Sequence, residues 1–131
     1  MGDTSKFLSQ NVEFQQDMRL ALGSVADLCY HIASESGWHN NDDRQPGTFM
    51  MLMVSEIAEA MEGNRKDKMD DHLPHRKQEE VELADAIIRI LDYAKFKELD
   101  VEGALVEKLI YNTQRADHKP ENRAKEGGKK Y

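Results

Sequence analysis

Four acids in two short phrases are the residues best suited to chemistry: Glu56 and Glu59 in SEIAE, Glu82 and Asp85 in ELAD. Each pair is spaced three apart, which on an α-helix means about 60° round the axis and roughly 4.5 Å along it. Both members of a pair therefore point the same way. The surrounding runs, FMMLMVSEIAEAM and VELADAIIRILDYA, are apolar on most sides. Runs of about 12 residues broken only by single charges read as buried helices, not strands. If two such helices are neighbours, four carboxylates meet in one interior, where each is destabilising without a partner. No Lys or Arg lies between residues 49 and 64, and only Arg89 lies between 80 and 94. Four acids beside one base call for cations. A single acid pair is commonplace on a solvated helix face; the doubling on the two most apolar stretches carries the reading.

With no Cys or His in the cluster, the expected ion is a hard one, Mg²⁺ with Mn²⁺ as a substitute, rather than zinc. Carboxylate-held Mg²⁺ keeps waters and open positions and commonly grips phosphates. Asp92 continues the stripe of residues 82, 85 and 89. It is a candidate outer ligand or orienter of the site, or else a helix partner for Arg89 or Lys95. Lys108, Asn112 and Arg115 on adjoining turns, with Lys129 and Lys130 on a flexible glycine hinge, are candidate anion contacts. The competing reading is a solvated helix end and a solubilising tail. Trp38 and His39 form an aromatic surface in the turn-rich WHNNDDRQPGT, where Trp38 either stacks a nucleobase or caps the end of a bundle. Asn40, Asn41 and Asp42 beside it are base-edge readers or plain turn residues.

The elements that position these groups are four predicted helices. The first covers about 12–36, with Phe14, Met18, Leu22, Val25, Leu28, Cys29 and Ile32 on its apolar period and Gly37 as its stop. The second covers about 49–62, with Thr48 as a candidate cap and Gly63 as its end. A charged, turn-like segment, 63–76, leads to the third, about 77–98. The fourth, about 100–115, opens on Asp100 as a good N-cap. Short links make an all-α, antiparallel four-helix bundle the expected architecture. Residues 1–10 read as a flexible lead-in, and 116–131 as a basic tail with almost nothing to bury. Helices apolar on several faces call for more partners than one subunit supplies, hence a dimer or a dimer of dimers.

Composition narrows the function classes. The 131 residues fit one domain, and a formal net charge of -7 argues against a broad nucleic-acid surface. No apolar run reaches the roughly 18 residues of a membrane span, and the N-terminus lacks the layout of a secretory signal. The one cysteine cannot form an internal disulfide, which fits a reducing, cytoplasmic setting.

On these motifs the chain resembles the all-alpha nucleoside triphosphate pyrophosphohydrolases of the MazG-like family. Its hallmark is a Glu-x-x-Glu on one helix and a Glu-x-x-Asp on the next, matched here by Glu56, Glu59, Glu82 and Asp85. The resemblance runs from about residue 23 to 131. It implies that the four acids bind Mg²⁺ and that the enzyme is an oligomer with sites near subunit junctions. The implied reaction cleaves nucleoside triphosphates between the α and β phosphorus atoms, with Glu56 or Glu59 as ligand and proton acceptor. Where the family often has an asparagine seven residues after the motif aspartate, this chain has Asp92. Lys108, Tyr111-Asn112, Arg115 and Gly128-Lys129-Lys130 match a pattern of small relatives that implies triphosphate contacts.

Three other readings stand beside it. A di-iron bundle would use Glu-x-x-His on two helices, a spacing absent from the sequence. A non-catalytic helical interaction protein has no reason to hold four acids in apolar surroundings. A hydrolase of another nucleotide-like di- or triphosphate shares the same metal chemistry and is the closest rival.

Overall fold

The computed structural model describes residues 2–40, 43–115 and 120–130. They form six helices: α1 (Asp3–Gln10), α2 (Val12–Glu35), α3 (Pro46–Lys66), α4 (Gln78–Phe96), α5 (Val101–Gln114) and α6 (Pro120–Arg123). No strand occurs among the described residues, only an isolated antiparallel bridge between Met69 and Lys77. The all-α expectation holds. α2 to α5 correspond to the four expected helices, and α1 and α6 fall in the stretches read as lead-in and tail. The chain divides into two compact units, Ser24–Leu99 and Met1–Gly23 with Asp100–Tyr131.

In the unit Ser24–Leu99, α3 packs along α4. Two details of α3 differ from the sequence reading. The helix starts at Pro46, preceded by Gln45 as N-cap, so Thr48 lies inside the first turn and is not the cap. Proline suits that first position because its missing N–H would have no helical partner there. The helix also runs through Gly63 to Lys66, where Asp67 takes up the left-handed conformation (φ 50°) that ends it. Gly63 is not a stop but a point of close approach. A Cβ there would lie 2.9 Å from Cβ of Gln78, at the start of α4.

The charged link between these helices is a closed loop. The Asp70 carboxylate is buried and accepts the backbone N–H groups of His72 (2.9 Å) and Leu73 (2.8 Å). The Asp70 N–H in turn donates to the Arg76 carbonyl, and Gln78 N–H to that of Lys68. These bonds fix where α4 begins relative to the end of α3.

The two central helices are not covered on all sides, as their composition led us to expect. Phe49, Ala60 and Gly63 of α3 and Ala86, Leu91, Tyr93 and Ala94 of α4 are buried, with Leu91 clustering against Ala26 and Cys29 of α2. Met51 remains 63% exposed and Ile87 55% exposed. On α2, the periodic Val25, Leu28 and Ile32 are likewise exposed. Of the seven positions that periodicity assigned to the apolar side of α2, only Cys29 is buried.

In the other unit, α1 packs on α5. Ser5 is buried, its hydroxyl 3.0 Å from that of Thr113. Residues 3–10 are therefore a docked helix and not the flexible lead-in expected. Asn11 ends α1 and caps α2, its side-chain oxygen accepting the Phe14 N–H at 2.9 Å. Asp100 caps α5 as expected, accepting the Gly103 N–H at 2.9 Å. Beyond α6 the Arg123 guanidinium donates to the carbonyls of Lys129 (3.2 Å) and Lys130 (2.9 Å). A Cβ on Gly128 would meet the carbonyl oxygens of Asn122 and Arg123 at 2.6 Å. This glycine folds the tail back onto α6 and is not the free hinge the sequence suggested. The remainder of the expected tail, residues 116–119 and 131, lies outside the described residues, as do Asn41 and Asp42.

Candidate metal centre

α3 presents Glu56 and Glu59 one turn apart, and α4 presents Glu82 and Asp85 in the same way. Because the helices pack side by side, oxygens of Glu56, Glu59 and Glu82 all lie within 4.8 Å of one another. Glu56 is buried, Glu82 half-buried and Glu59 exposed, so the group grades from interior to surface. Asp85 falls outside this tight group. It is half-buried and close enough to feel the charges of Glu56 and Glu59. Three of the four expected acids are thus brought together, with the fourth alongside.

Arg89, one turn beyond Asp85, donates its Nε–H to Glu56 Oε1 at 2.6 Å. The charges then sort themselves. Burial pushes the Glu56 carboxyl up, but hydrogen bonds with Arg89, Glu82 and Glu59 and the Arg89 charge outweigh it and hold Glu56 below the usual range. Burial, the hydrogen bond with Glu56 and the nearby Glu59 push Glu82 up to about 8. Burial and the Glu56 charge raise Asp85 as well, with Arg89 opposing and Asp70 adding to the rise. At neutral pH one guanidinium and one shared proton therefore stabilise the crowded acids.

The donor set fits a hard divalent cation. Every candidate ligand atom is a carboxylate oxygen, and no nitrogen or sulfur belongs to the group. Oxygens on one octahedral ion at about 2.1 Å stand roughly 3–4.2 Å apart. A group already within 4.8 Å reaches that spacing by small side-chain rotations.

The other expected residues are placed as follows. Trp38 is 55% exposed, an exposure open to both readings, a stacking surface and a cap on the end of a bundle. The Arg89 guanidinium lies 5.9 Å from its centroid, and Arg44 donates to the Trp38 carbonyl at 3.3 Å. His39, expected on the substrate side, has its side chain only 6% exposed. Its ring lies 4.0 Å from that of Phe96 and 5.5 Å from that of Tyr30, near parallel to both. His39 Nε2 pairs with Asp92 Oδ1 at 2.8 Å. An imidazole suits that place because its faces pack on rings while its edge bonds a carboxylate. Asp92 therefore meets His39, and the alternatives weighed for it are taken: Arg89 pairs with Glu56, and Lys95 with Asp27 at 2.7 Å.

Lys108, Asn112, Arg115, Lys129 and Lys130 belong to the unit formed by the chain's two ends. There the Lys108 ammonium lies 4.5 Å, and the Arg115 guanidinium 5.8 Å, from the centroid of the Tyr111 ring. Asn112 is partly buried, and Lys129 and Lys130 are exposed.

Sequence reasoning missed the bond from Arg89 to Glu56. Its signal was present: Arg89 is the only base in the 80–94 run and lies on the same stripe as Glu82 and Asp85. The buried Asp70 had no such signal, since its role depends on the loop closing. No family model matches the chain, and no curated protein and no solved structure is significantly similar to it.

Proposed function

We propose that this protein hydrolyses nucleoside triphosphates, with Mg²⁺ as cofactor, between the α and β phosphates, giving nucleoside monophosphate and pyrophosphate. The observation that carries the reading is the convergence of Glu56, Glu59 and Glu82 from two packed helices to within 4.8 Å. It supports the reading because three of the four acids of the proposed MazG-like signature form a donor set suited to a hard cation. Mg²⁺ bound there would polarise a water and stabilise negative charge on phosphate oxygens. Glu56 and Glu82 hold the interior side of the site, and Asp85 adds a further carboxylate beside them. Glu59, on the exposed side, is the acid best placed to take a proton from a water arriving from solvent. The half-exposed face of Trp38 offers a surface on which a nucleobase stacks. Triphosphate contacts by Lys108, Asn112, Arg115, Lys129 and Lys130 enter the proposal on the sequence resemblance alone.

The proposed assembly is a four-helix-bundle subunit in a dimer or dimer of dimers. Its support is the exposed stripe of Met50, Val54, Ile57 and Met61 on α3, with Leu83, Ile87 and Ile90 on α4. Exposed apolar residues on neighbouring helices support the proposal of an interface there.

The test is a panel of nucleoside triphosphates with Mg²⁺ in ¹⁸O-labelled water. Attack at the α phosphorus puts the label in the monophosphate and leaves pyrophosphate unlabelled. Nucleoside diphosphate with orthophosphate, or labelled pyrophosphate, would refute the proposed register. Turnover of another nucleotide-like phosphate alone would favour the rival hydrolase, and no turnover of any would favour a non-catalytic helical protein.

A further inference from the structure

Arg89 is tied at once to the interior of the acid group and to its exposed aromatic flank. Its Nε bonds Glu56 Oε1 at 2.6 Å, and its guanidinium stands 5.9 Å from the Trp38 ring. The Arg89 side chain is 30% exposed, so it is not sealed in the interior. A dication that takes Glu56 as a ligand competes with Arg89 for the same carboxylate. It also sets two positive charges within a few ångströms of a third, and the guanidinium, charged at all working pH values, cannot relieve this by losing a proton. The ion therefore weakens the present Arg89–Glu56 bond, whichever Glu56 oxygen it takes. Arg89 is anchored on α4 but has a long stem, and the Trp38 ring, 5.9 Å from its guanidinium, is within its reach. A guanidinium there brings a planar fork of donors, suited to phosphate oxygens, next to a ring suited to a base.

We propose that Arg89 is a displaceable internal counterion: a divalent cation releases it from Glu56, and the released guanidinium positions a phosphate beside Trp38. This rests on the metal reading above and deepens it. The protein supplies a clean reporter, because Trp38 is its only tryptophan.

The experiment uses the full chain as wild type, Arg89→Gln and Arg89→Lys. Mg²⁺ alone is titrated by calorimetry and by Trp38 emission. Binding of an α,β-imido nucleoside triphosphate is then measured at saturating Mg²⁺. In wild type, Mg²⁺ should change Trp38 emission with the same midpoint as the heat. R89Q should bind Mg²⁺ roughly fivefold or more tighter and lose the emission change, yet bind the nucleotide analogue roughly fivefold or more weaker. Opposite signs on the two ligands do not arise from a damaged fold, which weakens both. R89K, which keeps the charge without the planar fork, should stay near wild type for Mg²⁺ and follow R89Q for the nucleotide. Unchanged or weaker Mg²⁺ binding in R89Q overturns the displacement, and unchanged nucleotide binding overturns the positioning role. Absence of Mg²⁺ heat in wild type overturns the metal reading itself, an outcome distinct from both.

Discussion

The two units of this protein each gather like charges, and they compensate them in opposite ways. In Ser24–Leu99, rigid helices drive three carboxylates to within 4.8 Å, and the compensation is electrostatic: a guanidinium on Glu56 and a proton on Glu82. In the unit formed by the chain's ends, Lys108 and Arg115 share the face of one neutral ring, Tyr111. The quadrupole of the ring attracts both cations. On the proposal above, the first arrangement is exchangeable, a stronger cation replacing the guanidinium and the proton. The second centres on an aromatic ring. Crowded charge points to a ligand only where its present compensation can be traded for something stronger.

The sharpest way to break the comparison is to remove an acid from the crowded group. Glu59→Gln should lower turnover about 10²–10⁴-fold while keeping helical circular dichroism unchanged. It should also shrink the upward shift in melting temperature that Mg²⁺ gives wild type. Equal Mg²⁺ shifts in both proteins would make the group structural. Next in size is a buried pair that resembles neither arrangement. His39→Ala removes two ring contacts and leaves Asp92 without the partner seen at 2.8 Å. It should destabilise the fold by about 2–3 kcal/mol in urea denaturation, with any loss of turnover following from that.

A smaller effect tests exchangeability through pH. Glu82 titrates near 8 in the folded protein against 4.5 for an unperturbed glutamate, so between those values the folded state holds a proton that the unfolded chain has released. Its contribution to stability is full below about pH 4.5 and is lost as pH rises through 8. Asp85 is shifted in the same direction. Urea midpoints in EDTA should therefore fall between pH 6 and pH 9, less steeply in Glu82→Gln. Mg²⁺ affinity should rise over the same interval, with up to about one proton released per ion. A flat urea profile in wild type would mean that the acids are not crowded in solution. The smallest effect is in the other unit. Tyr111→Leu should cost about 0.5–1 kcal/mol, with Tyr111→Phe near neutral, since the ring and not the hydroxyl holds the cations.

The sequence made the helical class legible, and with it the pairing of acids across two helices, because both follow from short-range spacing. Asp100 was readable as a cap for the same reason. What escaped depends on contacts between distant residues. His39 looks like a surface histidine in a polar turn, but the partner that takes it inside is Asp92 on α4. Residues 3–10 are too polar to announce a core helix, yet the buried Ser5 meets Thr113 across more than a hundred residues. The apolar stripes of α2, α3 and α4 were visible, but not how little of them the described chain would cover. Gly63 was misread for a related reason: glycine ends helices often, and only the neighbouring α4 shows that here it keeps one going.

Under the metal reading proposed above, that glycine bears on ion selectivity. Gly63 lies seven residues after Glu56, about 10 Å along the same helix axis. Any side chain at 63 acts as a wedge against Gln78, where even a lone Cβ has only 2.9 Å. A wedge at one end of two packed rods spreads them like a pair of scissors, so the carboxylate oxygens one or two turns away separate too. A small octahedral ion tolerates such widening poorly, whereas a larger, more flexibly coordinated one such as Ca²⁺ accepts it. Under the metal reading, the missing methyl group one to two turns from the acids would work as a calliper setting, gauging which cation their oxygens could close around.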